Sequence, residues 1–417
     1  MSSFDDMSKF APATRGVLAG RRAGWTGTPE HPGAVVNPAV WRASTHLYPD
    51  MAALRAHPAN TDGNFYYGRR GGPTQWALAE ALTQLEPGAA KSGGGTVLYS
   101  SGVAAIAGVL LTVLRPGDVL LMTDNAYEPS RVMGRGLLKD FGVETRWFDP
   151  TDLAAFEAAC CERTRAVLLE SPGSLTMEVQ DVPALAAAAR ARGIVSVLDN
   201  TWASSLGFAA LEHGVDIAVM SLTKHVSGHS DCMMGSASAG EEWYRKLRLR
   251  AQGMGTVVSP DDASLMLRGL RTMKLRLEAE TASALAIAQW LQGRSEVARV
   301  LCPMLPGSPG HDLWRRDFTG GCGLFSFVLN GGTSAARDAL IDALDLFGIG
   351  YSWGGFESLA TPVDPASIRT ASAWPLHGME PGDRFGVRLS IGLEDTADLI
   401  ADLDRALSVW AAHGGAA

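Results

Sequence analysis

Short apolar runs alternate with amphipathic helical segments between about residues 75 and 265, and this alternation limits the possible folds more than any other feature. The strand-like runs are Thr96–Tyr99, Val119–Thr123, Glu144–Phe148, Ala166–Leu169, Ile194–Leu198 and Ile217–Met220. Helical patterns between them are Val103–Leu114, Ser130–Phe141 and Val182–Arg192. Strand and helix in repeated succession indicate a mostly parallel sheet with helices on both faces. The sequence therefore predicts an α/β fold built on this sheet.

The chain is too long for one compact core, and its two ends differ from its middle. It has 417 residues, two to three times the usual size of a domain. Residues 1–74 are rich in Pro, Gly, Arg and aromatic residues without sustained periodicity, so we expect an arm that reaches a neighbouring subunit. Residues 75–268 form the predicted large domain. A long helical pattern from Asp261 to Gln292 leads into a smaller C-terminal α/β domain, predicted at 269–417.

Composition and charge exclude several classes of protein. The 36 Lys and Arg residues against 44 Asp and Glu give a net charge of −8, which does not suit a nucleic-acid-binding surface. The N-terminus lacks the apolar segment of a secretory signal, and the longest apolar run, Val103–Leu114, is too short for a membrane helix. Five scattered cysteines without Cys-x-x-Cys spacing predict neither a disulfide framework nor a metal site. We expect a soluble, cytoplasmic protein with reduced cysteines.

One lysine follows a predicted strand directly. Only six of the 36 basic residues are lysines, and Lys224 comes after the apolar run Val215–Met220, within residues 221–225 (SLTKH). Burial lowers the proton affinity of a lysine and makes its amine a nucleophile. Schiff-base chemistry with an aldehyde cofactor requires such an amine. The alternative is an ordinary lysine where a strand meets a loop.

Three further positions at strand ends suit the same chemistry. Asp199 ends the run at residues 193–199, at the edge where open α/β folds bind ligands, and its carboxylate could pair with a pyridinium nitrogen or cap a helix. The helix that starts near Gly102 begins with small residues whose free amides can bind a phosphate. Tyr127 follows another strand and is either a ring-stacking residue or a partly buried tyrosine in a turn.

Eight motifs, in order along the chain, resemble the pyridoxal-phosphate (PLP) enzymes of cysteine and methionine metabolism. They lie at residues 67–71 (YGRRG), 123–130 (TDNAYEPS), 170–174 (ESPGS), 199–203 (DNTWA), 223–224 (TK), 228–231 (GHSD), 351–359 (YSWGGFESL) and 391–394 (IGLE). The resemblance covers about residues 65–405 and implies PLP-dependent fold type I, the aspartate-aminotransferase-like fold. It is strongest to the bacterial carbon–sulfur β-lyases of this family, which cleave cystathionine.

The resemblance implies a role for each matching residue. Lys224 and Tyr127 would be catalytic: Lys224 would bind PLP and move the proton from Cα to the leaving sulfur, and Tyr127 would stack on the ring. Asp199 would pair with the ring nitrogen. The groups that hold the phosphate would be Gly102, Val103, Ser221 and Thr223 together with Tyr67 and Arg69 of a neighbouring subunit. The groups that bind the substrate would be Arg388 on the α-carboxylate, Ser352, Trp353, Tyr67 and Arg70. Such shared sites imply a homotetramer, a dimer of dimers.

The implied reaction is β-elimination from cystathionine or a related S-substituted cysteine, which yields a thiol, pyruvate and ammonia. Trp353 favours this branch, because γ-acting relatives usually carry a smaller residue there. Val132 and Gln252 depart from the family pattern near the distal end of the substrate, so we expect a relaxed choice of side chain. The alternatives are a γ-acting relative (cystathionine γ-synthase or γ-lyase, methionine γ-lyase), a non-catalytic cofactor-binding regulator, and a dehydrogenase. No basic DNA-binding tail supports a regulator, and no Gly-x-Gly-x-x-Gly motif supports a dehydrogenase.

Overall fold

The N-terminal part of the chain consists of short elements. The computed structural model describes residues 7, 9–28, 31–56, 65–367, 369–374 and 384–413. The elements are α1 (Pro12–Leu18), α2 (Ala23–Thr26), β1 (Gly27–Thr28), β2 (His31–Ala34), α3 (Met51–Ala56), the 3-10 helix Gly68–Arg70, α4 (Pro73–Leu85) and α5 (Pro87–Lys91). Helix α1 packs against α4, and Arg271 donates a hydrogen bond to the Val17 carbonyl at 2.5 Å. The beginning of the predicted arm therefore lies on its own chain, and its reach towards a neighbouring subunit stays a prediction.

Seven strands form the central sheet. They are β3 (Gly95–Tyr99), β4 (Val119–Thr123), β5 (Glu144–Phe148), β6 (Thr164–Glu170), β7 (Val195–Asp199), β8 (Ile217–Ser221) and β9 (Gly235–Ala239). The order in the sheet is β3-β9-β8-β7-β6-β4-β5, with parallel pairing from β8 through β5 and antiparallel pairing of β9 with both neighbours. The prediction of an α/β fold with a mostly parallel sheet is confirmed, and each of the six predicted runs overlaps a strand.

Helices connect these strands and cover the sheet. They are α6 (Gly102–Val113), α7 (Glu128–Arg135), α8 (Leu137–Asp140), α9 (Leu153–Ala159), α10 (Val182–Ala191), α11 (Ser204–Gly207) and α12 (Glu241–Gly253). The prediction of one helix over Ser130–Phe141 is wrong. Gly136, with φ −111° and ψ −94°, leaves the helical region and separates α7 from α8.

Strand β4 explains why the parallel strands have continuous apolar sequences. Val119 and Leu121 belong to one apolar cluster, Leu120 and Met122 belong to another, and all four are fully buried. Successive side chains of a strand point to opposite faces, so a strand covered on both faces favours apolar residues at successive positions. Truncating one of these leucines to alanine should cost about 2–5 kcal/mol of stability.

Strand β9 was not predicted, because its sequence GSASA has no apolar pattern. All five of its residues are buried between β3 and β8, and the hydroxyl oxygens of Ser238 and Thr96 are 2.8 Å apart. Small side chains at this position leave room for the helices that pack on either face.

The C-terminal part of the chain forms a second sheet. Its elements are α13 (Pro260–Gln292), β10 (Val297–Leu301), α14 (His311–Asp317), β11 (Leu324–Leu329), α15 (Ser334–Asp342), β12 (Gly348–Ile349), β13 (Leu359–Val363), the 3-10 helix Pro365–Ser367, β14 (Gly386–Ser390) and α16 (Thr396–Ala412). The sheet order is β10-β11-β14-β13-β12. Helix α13 precedes this sheet, and the predicted domain boundary at 268/269 falls inside it. In the described part of the chain, no helix has both the length and the apolarity to cross a membrane.

Candidate active site

The parallel strands β4, β6, β7 and β8 end at one edge of the central sheet, and a cavity of about 150 Å³ lies at this edge. It is lined by nine of the residues that the sequence predicted: Gly102, Val103, Tyr127, Asp199, Ser221, Thr223, Lys224, Trp353 and Arg388. Further lining residues are Glu170, Pro172, Gly173, Ser174, Leu175 and Met177. The cavity therefore combines strand ends of the large sheet with residues of the C-terminal sheet.

Lys224 lies in the turn after β8, with its amine partly buried. Its Nζ donates a hydrogen bond to Ser352 Oγ at 2.6 Å and is 5.4 Å from the ring centre of Trp353. Burial, followed by the charge of Arg388, lowers the pKa of Lys224 to about 8, while Asp199 acts in the opposite direction. An amine with this pKa is partly neutral near pH 8, so it can act as a nucleophile or as a base. This environment does not resemble that of an ordinary surface lysine.

Ser352, in the segment between β12 and β13, and Arg388 reach this amine from the C-terminal part of the chain. Ser352 has φ +86°, in the left-handed region that a non-glycine residue adopts at a cost of about 1–3 kcal/mol. Arg388, on β14, donates a hydrogen bond from Nη2 to the Ser352 carbonyl at 3.3 Å. Burial lowers the pKa of Arg388, yet a guanidinium stays charged at neutral pH. It is therefore a fixed positive charge beside the amine, with the geometry to bind a carboxylate.

Asp199 ends β7 and accepts two hydrogen bonds at Oδ1, from the Thr201 amide at 3.1 Å and the Thr201 hydroxyl at 2.5 Å. The next helix, α11, has Ala203 at its N-cap, so Asp199 does not cap this helix. Burial raises the pKa of Asp199, and Thr201 and Lys224 counteract that rise.

Glu170 is a functional residue that the sequence did not predict, although it begins the motif at residues 170–174. Glu170 ends β6, directly opposite Asp199 in the strand register, and its Oε2 accepts a hydrogen bond from the Tyr127 amide at 2.6 Å. Burial, and then the negative charge of Asp199, raises the pKa of Glu170 well above its usual value. Two carboxyls side by side do not both ionise readily, so the charge of Asp199 favours the protonated form of Glu170. An acidic residue at the end of an apolar strand was the signal that identified Asp199, and it applies equally to Glu170.

A helix N-terminus and two hydroxyls form a candidate phosphate site. Helix α6 begins at Gly102, and a Cβ atom on this glycine would lie 2.7 Å from the Ser221 side chain, so only glycine permits this close approach. Ser101 caps the helix by accepting a hydrogen bond from the Ala104 amide at 3.1 Å. The Thr223 hydroxyl contacts the Met234 backbone at 3.1 and 3.2 Å. Free helix amides beside hydroxyls bind anions well.

Two aromatic residues, Tyr127 and Trp353, line the cavity. Tyr127 is the N-cap residue of α7 and is 42% exposed, which leaves its ring accessible from the cavity. Burial, followed by the charges of Glu170 and Asp199, raises the pKa of Tyr127, and Arg388 counteracts this rise. Trp353 packs edge-on against His225, with ring centres 5.2 Å apart, so it is both a packed residue and a lining residue.

Three predicted residues lie elsewhere. In the described part of this chain, Tyr67, Arg69 and Arg70 do not line the cavity. Arg69 donates a hydrogen bond to the Gln252 carbonyl at 2.6 Å, and the Arg70 guanidinium lies 3.8 Å from the ring centre of Tyr66. Within one chain, these residues are therefore not brought to Lys224, and their predicted roles require a neighbouring subunit.

The chain is similar to known enzymes over most of its length. A family model described as Cys/Met metabolism PLP-dependent enzyme matches residues 25–408. The cystathionine β-lyases of Salmonella typhimurium and Escherichia coli are 44% and 43% identical, each over 88% of this chain and 92% of the relative. L-methionine γ-lyase of Pseudomonas putida is 36% identical over 92% of this chain and 94% of the relative. A crystal structure of cystathionine γ-synthase from Xanthomonas oryzae, in complex with aminoacrylate and cysteine, superimposes with a TM-score of 0.84 at 34% identity, covering 97% and 99% of the two chains.

Proposed function

The chain belongs to the Cys/Met metabolism PLP-dependent enzymes, and we propose that within this family it is a carbon–sulfur β-lyase. Its substrate would be cystathionine or a related S-substituted cysteine, and its products a thiol (homocysteine from cystathionine), pyruvate and ammonia. The observation that carries the proposal is the cavity in which the Lys224 amine, the Arg388 guanidinium and the Trp353 indole meet. The curated relatives with the higher identities are cystathionine β-lyases, and the γ-acting relative has a lower identity.

The cavity residues fit PLP, the cofactor of the family. The glycine at the start of α6 leaves space beside Ser221 that a Cβ would fill, and this suits a phosphate held by the helix amides. The residues that we propose hold the cofactor are Gly102, Val103, Ser221 and Thr223 at the phosphate, Asp199 at the ring nitrogen, Tyr127 on the ring face and Lys224 at the aldehyde. When bound, PLP withdraws electrons from the substrate Cα and so makes its C–H bond acidic.

Lys224 is the proposed acid and base of the reaction. In its neutral form, the amine accepts the proton from the substrate Cα, and the resulting ammonium then delivers this proton to sulfur as the Cβ–S bond breaks. A pKa of about 8 leaves both protonation states accessible near neutral pH. The hydrogen bond from Nζ to Ser352 Oγ at 2.6 Å holds the amine in the cavity between transfers.

Arg388 and Trp353 are the proposed substrate-recognition residues. The Arg388 guanidinium would bind the α-carboxylate in a bidentate pair, with Ser352 beside it. Trp353 would restrict the space beyond Cβ, where a γ-elimination substrate must place its longer chain. Its position is supported by the packing of its ring against the buried His225.

We also propose that the enzyme is a homotetramer, a dimer of dimers with shared sites. Tyr67 is 45% exposed, and together with Arg69 and Arg70 it lies outside the cavity of its own chain. These residues would complete the phosphate and substrate sites of the neighbouring subunit, on an arm that ends near residue 74. The domains at 75–268 and 269–417 and the cytoplasmic location stay predictions.

The test is product analysis with purified protein and L-cystathionine. A β-lyase releases pyruvate and homocysteine, whereas a γ-acting enzyme releases 2-oxobutanoate and cysteine. Lys224→Ala is the matched control and should release neither. Release of 2-oxobutanoate without pyruvate would replace the proposal by its γ-acting alternative.

A further inference from the structure

The connection between β13 and β14 contains a short segment, residues 369–374, that is bound to the large domain; we call it the strap. The backbone amides of Thr370, Ala371 and Ser372 donate hydrogen bonds to Oδ2 of Asp124 at 2.8–2.9 Å. The hydroxyls of Thr370 and Ser372 donate to the same carboxylate at 2.8 and 3.0 Å. Asp124 is fully buried and lies in the turn that leads from β4 to Tyr127. One carboxylate therefore fixes three successive residues of the strap.

A second buried carboxylate holds the first residue of the strap. The side chains of Arg369 and Glu178 form an ion pair and are only 4% and 3% exposed. Arg369 also donates hydrogen bonds at 2.6 Å to Thr176 Oγ1 and to Ser372 Oγ. The second carboxylate oxygen of Glu178, Oε2, accepts hydrogen bonds from the Thr176 hydroxyl at 2.5 Å and from the side-chain amide of Asn125 at 3.2 Å. Arg369 thus joins the strap to the loop after β6, and Glu178 in turn contacts Asn125 in the turn after β4.

The loop after β6, residues 171–178, forms one wall of the active-site cavity. Its lining residues are Pro172, Gly173, Ser174, Leu175 and Met177. Leu175 and Met177 have φ +70° and +59°, left-handed conformations that non-glycine residues keep only where surrounding contacts hold them. Two of these contacts are backbone hydrogen bonds of 2.9 Å. The Gly173 amide donates to the Glu178 carbonyl, and the Ser174 amide donates to the Asn125 carbonyl. Glu178 and Thr176, the two loop residues that Arg369 binds, are therefore part of what maintains this wall.

We propose that Arg369 is a positioning residue that fixes the wall 171–178 through Glu178 and Thr176, and so determines which substrate side chains the site accepts. The proposal rests on the proposed β-lyase function. The α-amino and α-carboxylate groups, which all substrates share, are assigned to the cofactor and to Arg388. Leu175 and Met177 have no such assignment, and both line the cavity, where they would contact the remaining part of the substrate. Removing Arg369 leaves the Glu178 carboxylate buried without its cation, so the loop must rearrange.

The experiment compares Arg369→Met with Arg337→Met. Arg337 is a matched control: its side chain is 5% exposed, it forms ion pairs with Asp338 at 3.0 Å and Asp364 at 2.6 Å, and it is not among the described cavity residues. The first readout is hydrogen–deuterium exchange of the peptide 171–178. The second is the ratio of kcat/KM for cystathionine to that for S-methylcysteine. In Arg369→Met, we expect faster exchange in the wall and a change of at least about tenfold in the ratio, because small displacements of a positioning contact have large kinetic effects.

In Arg337→Met, we expect wild-type exchange in the wall and a ratio within about twofold of wild type. A folded Arg369→Met whose ratio stays within about twofold of wild type would overturn the proposal, and so would an equal change in the control. If Arg369→Met does not fold, Arg369→Lys decides. A lysine keeps the charge but cannot bind Glu178, Thr176 and Ser372 at the same time. We therefore expect a several-fold change in the ratio of kcat/KM values, and an unchanged ratio overturns the proposal. If the wild type releases no pyruvate from any thioether, the β-lyase function fails, while the contrast in exchange still tests the positioning by Arg369.

Discussion

Replacing Arg388 by glutamine should remove the partner of the substrate α-carboxylate and the positive charge that helps to lower the pKa of Lys224. Truncating one partner of a buried, hydrogen-bonded charge pair costs about 2–5 kcal/mol, which corresponds to roughly thirtyfold to several thousandfold in kcat/KM. Because Arg388 is partly buried rather than fully enclosed, we expect the lower part of this range, about 30- to 300-fold. Most of the loss should appear as a higher KM, since the carboxylate is bound before the reaction begins.

The second effect of this substitution has a definite sign. Proton removal from Cα needs the neutral amine, so kcat rises as the pH increases through the pKa of Lys224 in the enzyme–substrate complex. Removing the neighbouring positive charge raises this pKa, so the acidic limb of the kcat profile should move to higher pH. Arg388→Lys keeps the charge but loses the planar donor pair. Arg388→Lys should therefore weaken carboxylate binding without moving the acidic limb of the kcat profile.

The assay is pyruvate release from S-methylcysteine between about pH 6 and 10 for wild type and both variants, with cofactor content measured by absorbance. Two results would refute the reasoning. A limb that stays in place or moves to lower pH in Arg388→Gln would show that the charge does not set the proton affinity of Lys224. An unchanged KM in both variants would show that Arg388 does not bind the α-carboxylate.

Four further results are expected. Borohydride reduction should abolish the cofactor absorption band and leave an adduct that mass spectrometry finds on Lys224; an adduct elsewhere contradicts the assignment. Mixed dimers of an Arg69→Ala chain with a Lys224→Ala chain should recover part of the activity, because some hybrid sites have both native groups, whereas no recovery in verified hybrids would indicate sites made by one chain. Glu170→Gln, which keeps an uncharged group next to Asp199, should retain cofactor binding and lose less than about tenfold in kcat, while Glu170→Ala should lose more because the Tyr127 amide loses its partner. Cystathionine should be preferred over S-methylcysteine by less than about a thousandfold in kcat/KM, because Val132 offers no ionic contact to the distal group, and a larger ratio would require another residue for this contact.

The strands of the large domain and the active-site residues at their ends could be predicted from the sequence, because both follow from one pattern. Apolar runs reveal buried strands, and the carboxyl ends of parallel strands meet at one edge of the sheet. Lys224, Asp199 and Tyr127 each follow such a run, and the cavity contains all three. Glu170 ends another such run, so the same argument applies to it.

Other features have no local signal. Strand β9 is made of Gly, Ser and Ala, and its burial depends on the neighbours that it pairs with, not on its own hydrophobicity. The strap is held by contacts such as that between Thr370 and Asp124, which are 246 residues apart in the chain. The buried pair of Arg369 and Glu178 likewise combines two charged residues that look like surface residues in the sequence. Only the tertiary structure brings such partners together.

The reactivity of Lys224 itself depends on such long-range contacts. Its position is local, since it follows β8 directly, but Ser352 is 128 residues further along the chain, and Arg388 lies on a strand of the other sheet. The hydrogen bond from Nζ to Ser352 and the charge of Arg388 both disappear if the C-terminal sheet moves away, and the amine then returns towards water and its ordinary pKa. Docking of the C-terminal sheet therefore places the Arg388 guanidinium in the site and lowers the pKa of Lys224 at the same time. This coupling makes the amine most reactive when the site that binds the substrate is complete.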